Sequence, residues 1–177
     1  MRAAILTVSD RSFRGERPDV SGPALKERLE HAGATIVKTA LVPDEPALIA
    51  QTLIHLTDAL GCDLVITTGG TGLSPRDTTP EATRRIIDKE LPGMALAIHQ
   101  ASLQRTPFAM LSRGVVGVRG ASLILNFPGS PKAVAECFAV VAPVLDHAVK
   151  LLRDEDPYQH PNPVAADSPT PRSSCHP

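Results

Sequence analysis

The sequence predicts an α/β fold: a mostly parallel sheet covered by helices on both faces, with one short antiparallel hairpin. Three observations predict it. Apolar runs and helical stripes alternate as β-α-β-α-β over residues 2–68, the order that gives parallel strands joined by helical crossovers. A polar, glycine-rich loop, Gly69–Asp77, follows the third apolar run, at the place where open α/β sheets bind ligands. Two apolar runs flank Arg119-Gly120 within GVVGVRGASLILN, which predicts a turn between two strands.

The elements follow in chain order. RAAILTV at 2–8 is a short apolar run ending at Ser9-Asp10, a first strand buried on both faces. Arg11–Val20 is polar, with Gly15 and Pro18, and reads as a loop. Ser21 is a candidate cap for a helix over 22–32 that Gly33 ends. ATIVKTALV at 34–42 is a second strand, followed by the turn Pro43-Asp44-Glu45-Pro46. Leu48, Ile49, Leu53, Leu56 and Leu60 form a helical stripe, and Asp44 sits where its cap would be. Asp63–Thr68 is a third strand. Thr79-Pro80-Glu81 starts a helix, with a hydroxyl cap, an early Pro and an acid in the first turn, expected to run to about Lys89. Pro92-Gly93 breaks the chain before a helix over 94–103. After the hairpin and the compact loop Phe127–Pro131, a long helix covers 132–152, with Pro143 a point of kinking or breakage.

From Asp154 onward Pro, Ser, Asp and His dominate and apolar periodicity vanishes. The expected organisation is therefore one folded domain over 1–153 and a Pro-rich, flexible tail over 154–177. The 177 residues suit one domain. Aromatics make up only 3 % and Trp is absent, so the core is aliphatic. A formal net charge of −1 carries no nucleic-acid footprint. Three cysteines make no disulfide framework. No signal-type segment or stretch of about 18 apolar residues is present. The expectation is a cytoplasmic protein without nucleic-acid or membrane partners.

Among segments that could carry chemistry, LVITTGGTGLSPRDTTPE at 64–81 is the strongest. Gly69, Gly70 and Gly72 let the backbone approach a ligand and turn N–H groups toward phosphate oxygens. Arg76 suits phosphate charge, and Asp77 suits a hard cation. The alternative is a glycine-rich turn that only reverses the chain. Neither GxxxxGK[ST] nor GxGxxG is present, which disfavours a P-loop NTPase and a dinucleotide oxidoreductase. Asp44 is either a cation or phosphate ligand or a plain helix cap, and the local sequence favours the cap. Ser9-Asp10 falls on the same sheet edge as Gly69–Asp77 if the strands are parallel. Ser112, Arg113, Asn126 and Pro128-Gly129-Ser130 suit a second anionic, heteroatom-rich ligand, although each alone reads as an ordinary loop residue. Cys62 and Cys137 read as small apolar fillers, and His31, His55, His99 and His147 as surface residues of helices. His160, Cys175 and His176 in the tail make no metal site.

At TTGGTGLSPRDTTPEAT the sequence resembles the molybdopterin-binding domain family, in particular its adenylyltransferases and the gephyrin-type G domain. LTVSD, DVSGPAL, LVPDE, PFAMLSRGVVGVRG and LILNFPGSPKAVAE fall in the family's order, so the match runs from about residue 3 to residue 153. The resemblance implies a three-layer α/β/α sandwich, usually assembled as a homotrimer. It also implies transfer of AMP from Mg-ATP to molybdopterin with release of pyrophosphate, the product passing to a separate molybdate-insertion protein. It assigns Asp44 and Asp77 as catalytic and Mg²⁺-holding acids. Ser9, Asp10, Gly69, Gly70, Thr71, Gly72 and Arg76 fall on the ATP side, and Ser112, Arg113, Asn126, Pro128, Gly129 and Ser130 on the molybdopterin side. Phe127 departs from the smaller apolar residue common in relatives. The competing expectation is a non-catalytic module that binds or delivers molybdopterin. A purely structural scaffold is disfavoured by the polar loops gathered at one sheet edge.

Overall fold

The computed structural model describes residues 1–155; the expected tail, with His160, Cys175 and His176, lies outside the described residues apart from its first two positions. Among the described residues six strands form one sheet in the order β2-β1-β3-β6-β5-β4. These are β1 (Arg2–Val8), β2 (Thr35–Val42), β3 (Leu64–Thr68), β4 (Lys89–Glu90), β5 (Val116–Arg119) and β6 (Ser122–Phe127). β1 pairs in parallel with β2 and β3, and β3 with β6. β5 and β6 form the expected hairpin, turning at Gly120 with φ +54°, a conformation glycine adopts without strain. β4 adds a second antiparallel pairing at the edge.

Alternation along β1 places the two cores. Ala3 and Ile5 pack on one face with Leu25 and Leu29 of α2 (Ser21–His31) and Val134, Phe138 and Val141 of α6 (Pro131–Leu152). Ala4, Leu6 and Val8 pack on the other with Ile49 and Leu53 of α3 (Pro46–Ile54) and Ala82 of α4 (Thr79–Arg84). With α5 (Pro92–Leu103) beside α6, the layers are α2/α5/α6, sheet, α3/α4. β3 and β6 are buried throughout because helices cover both faces.

Local details depart from the sequence reading in physically interpretable ways. Residues 11–20 are not all loop: α1 (Asp10–Phe13) is a single turn in which the Ser12 amide donates to Ser9 Oγ. Ser21 does not cap α2. Asp19 does, its Oδ1 accepting from the amides of Ser21 and Gly22. α4 stops at Arg84, well before Lys89, because Lys89 and Glu90 are taken by the sheet edge. The α3 stripe ends in a π-helical turn, His55–Ala59. α6 runs unbroken through Pro143.

The crossover through α2 leads from β1 to one side and the chain leaves β3 toward the other. The carboxyl ends of β1 and β3 are thus a topological switch point, where such sheets open a crevice. All parallel strands end there, so the loops after β1, β2, β3 and β6 share one rim.

Candidate active site

That rim encloses a cavity of about 660 Å³. Its floor is backbone. A Cβ on Gly69 would stand 2.2 Å from the Val8 carbonyl oxygen, and one on Gly129 would stand 3.2 Å from Gly69 Cα. Gly69, with φ +101°, therefore lets the loops after β1, β3 and β6 touch, which no side chain would permit. The Gly69 amide is held by Phe127 O and the Thr68 hydroxyl by Pro128 O. The amides of Gly70, Thr71 and Gly72 donate to no acceptor among the described residues.

Two carboxylates flank this loop. A Cβ on Gly70 would lie 3.0 Å from Asp44 Oδ1, and one on Gly72 would lie 2.9 Å from Asp77 Oδ2. Asp77 is anchored from its own turn, accepting from the Ser74 amide at 2.8 Å. Asp44 is not a helix cap. Its Oδ2 accepts from the Asp10 amide at 2.7 Å, while its own amide donates to Asp10 Oδ1 at 3.1 Å. This reciprocal pair ties the loop after β2 to the loop after β1. Arg76 closes the outer rim, donating to both oxygens of Asp10 at 3.0 Å and to Glu45 at 2.7 Å.

The two neighbouring acids are tuned in opposite directions. The Arg76 guanidinium holds the Asp10 carboxyl below the usual carboxylate range against a partial desolvation penalty. Burial pushes Asp44 up, and the charges of Asp10 and Asp77 add to that rise. A half-buried carboxylate facing other carboxylates is a place where a cation relieves repulsion. Among the described residues no group of three or more His, Cys, Asp or Glu side chains forms a metal cage. Asp44 and Asp77 are the side chains of this rim that could hold a hard cation such as Mg²⁺, which proteins bind through one or two carboxylates together with phosphate oxygens and waters.

The expected site residues divide into three groups. Ser9, Asp10, Asp44, Gly69, Gly70, Thr71, Gly72, Asp77, Ser112, Pro128, Gly129 and Ser130 all line the cavity. Arg76 stands on its rim and reaches it through Asp10. Arg113 and Asn126 do not line it, because their polar groups are engaged elsewhere. Arg113 braces the glycine loop from behind, donating to Gly72 O at 2.8 Å and Asp77 O at 2.6 Å, and pairing with Glu81. Asn126 is 3 % exposed and bridges Thr67 and Thr83 at 3.0 Å each, while accepting from the Val115 amide. Ser9 and Ser130 also cap α1 and α6.

Sequence reasoning missed Asp19. Its Oδ1 accepts three hydrogen bonds from Ser21 and Gly22, and its Oδ2 accepts from Thr7 Oγ1 at 2.6 Å, on the cavity wall. Asp19 lies two residues before Ser21, and both residue types cap helices equally well. Gly22 was the available signal: a Cβ there would stand 2.4 Å from Asp19 Oδ2.

Fold and cavity together define a class: an α/β domain whose parallel strands deliver a glycine loop and two acids to a ligand crevice. The chain matches the family described as "Probable molybdopterin binding domain" over residues 4–147, and it belongs to that family. It is 44 % identical over 152 residues to the molybdenum cofactor synthesis protein cinnamon of Drosophila melanogaster, covering 85 % of this chain but 25 % of that longer protein. It is 42 % identical over 150 residues to a molybdopterin adenylyltransferase of Helicobacter pylori, covering 84 % of this chain and 85 % of the relative. Among solved structures, the molybdopterin biosynthesis enzyme MoaB of Thermus thermophilus superposes with a TM-score of 0.82 at 51 % identity, covering 86 % of this chain and 96 % of that one.

Proposed function

We propose that this chain is a molybdopterin adenylyltransferase of molybdenum-cofactor biosynthesis, transferring AMP from Mg-ATP to molybdopterin. The observation that carries the reading is the pair Asp44 and Asp77 on either side of a glycine loop with free amides, in a chain 42 % identical to an enzyme of that name. An oxygen of the pterin's terminal phosphate attacks the α-phosphorus of ATP, a new P–O bond forms, the bond to the β-phosphate oxygen breaks, and pyrophosphate leaves. Such a reaction needs alignment and charge neutralisation more than a strong base. The amides of Gly70, Thr71 and Gly72 hold phosphate oxygens. Asp44 and Asp77 hold Mg²⁺, which when bound neutralises charge on the triphosphate. Ser9 and Asp10 shape the ATP side, with Arg76 fixing Asp10. Ser112, Pro128, Gly129 and Ser130 receive the pterin side, while Arg113 and Asn126 act by holding the loops in place. The chain works as a homotrimer and hands adenylylated molybdopterin to a separate molybdate-inserting protein.

The test is incubation of the purified protein with molybdopterin and Mg-ATP, reading adenylylated pterin and pyrophosphate. The expected result is one pyrophosphate per adenylylated pterin. Tight pterin binding without product from any nucleotide would instead make the chain a binding and delivery module.

A further inference from the structure

Thr79 is fully buried, and its hydroxyl has no hydrogen-bond partner. Leaving a buried hydroxyl unpaired costs about 1–3 kcal/mol, and such orphans in folded proteins call for a reason. Its surroundings supply one. The Thr79 amide donates to Gly70 O at 3.1 Å, so the residue is pinned against the glycine loop. The side chain then points into the space above Gly70 Cα: a Cβ on Gly70 would lie 2.3 Å from Thr79 Oγ1 and 3.0 Å from Asp44 Oδ1. The missing Gly70 side chain leaves one small gap, with the unpaired hydroxyl and the Asp44 carboxylate on its walls. The other oxygen of that carboxylate, Oδ2, is already fixed by the Asp10 amide. Asp44 is thus held firmly on one side and faces a free donor on the other.

We infer that Thr79 is a positioning residue for Asp44: its hydroxyl hydrogen-bonds Oδ1 when the carboxylate turns toward a bound cation, so that Thr79 and the Asp10 amide clamp Asp44 from both sides. The inference rests on the reading of Asp44 as a Mg²⁺ ligand. The hydroxyl hydrogen rotates freely to suit its acceptor, and a small turn of the Asp44 carboxyl closes the gap. The hydroxyl stands unpaired in the structure, a cost to stability that returns as cation affinity. A residue that merely packs would show no such exchange.

Thr79→Val keeps the shape and removes the donor, Thr79→Ser keeps the donor, and Thr79→Ala serves if Val fails to fold. The measurement is the melting temperature of each full-length protein with and without Mg²⁺ and α,β-methylene-ATP, alongside the Mg²⁺ dependence of AMP transfer. Thr79→Val is expected to melt at or above the wild-type temperature without ligand. It should need about 10-fold more Mg²⁺ for the same thermal shift, the scale of losing a partner that orients a metal ligand. Thr79→Ser should restore the wild-type Mg²⁺ requirement. Equal Mg²⁺ requirements in wild type and Thr79→Val would overturn the inference and leave the proposed function standing. A Mg²⁺-dependent shift in wild type without AMP transfer would overturn the function and leave the inference standing. No Mg²⁺-dependent shift in wild type would overturn both.

Discussion

At the amino ends of β1 and β3, Asp63 accepts from the Arg2 amide at 2.5 Å and pairs with Arg153, while the Arg2 side chain reaches the carbonyls of Leu60 and Gly61. The Ser122 hydroxyl there meets Cys62 O at 2.7 Å. At the carboxyl ends of the same strands, the Gly70, Thr71 and Gly72 amides have no acceptor and the Thr79 hydroxyl no partner among the described residues. Acids gather there around Asp44, with the Arg76 guanidinium bound to Asp10 on the outer rim and that of Arg17 reaching Ser9 Oγ. The same sheet thus ends once in a closed polar network and once in an open one. Saturated polar groups hold the fold together, whereas under the proposed function the unsaturated ones would meet a ligand that brings the missing acceptors and cation.

Substitutions at the two ends should separate accordingly. The largest effect is expected from Asp77→Asn. Asn still accepts from the Ser74 amide, so melting should stay within a few degrees of wild type, while AMP transfer falls by about 10³-fold, as when a preorganised charge-stabilising group is lost. Full activity in the folded variant would remove Asp77 from the site. Asp63→Ala should do the reverse. It leaves the Arg2 amide unpaired and Arg153 with Glu155 alone, and should cost about 2–3 kcal/mol in denaturant melts, with transfer by the folded fraction unchanged within about twofold. A clear loss of transfer there would show that the two ends are coupled. Asp19→Ala removes the α2 cap and should cost about 1–2 kcal/mol, read in the same melts.

The smallest effect is in pH. Asp10, held low by Arg76, adds stability above its unfolded pKa that is lost as pH falls through its lower folded value. Asp44, pushed up by burial, does the opposite: its ionised form is a cost above its raised folded pKa, relieved as pH falls below it. Cation binding needs Asp44 ionised. The Mg²⁺-dependent thermal shift should therefore shrink as pH falls from neutrality, and at a higher pH than an ordinary carboxylate would cause. A shift unchanged as pH falls would remove Asp44 as the ligand.

Much of this was legible in the chain because the signals are local. Alternating apolar runs marked the parallel strands, Gly120 marked the hairpin turn, and the glycines of 69–72 marked the loop that lines the cavity. What escaped depends on partners far away in sequence. Asp44 looks like a cap because its true partner, the Asp10 amide, belongs to another loop. Arg113 and Asn126 look like ligand groups because the Gly72 carbonyl and the Thr67 and Thr83 hydroxyls that occupy them arrive only through folding. α4 ends early because Asp88 and Lys89 are drawn to β5, where the Asp88 amide meets Val118 O at 2.7 Å, a tertiary preference that overrides helix propensity. The pairing of Thr79 with the empty side of Gly70 has no sequence signature.

The most direct measurement is amide hydrogen exchange in the presence and absence of Mg²⁺ with α,β-methylene-ATP. The free amides of Gly70, Thr71 and Gly72 should exchange fast alone and slow markedly when the ligand is added, while the Asp63 end stays unchanged. Unaltered exchange at Gly70–Gly72, or protection appearing at the Asp63 end instead, would contradict the assignment of the carboxyl-edge cleft as the nucleotide site.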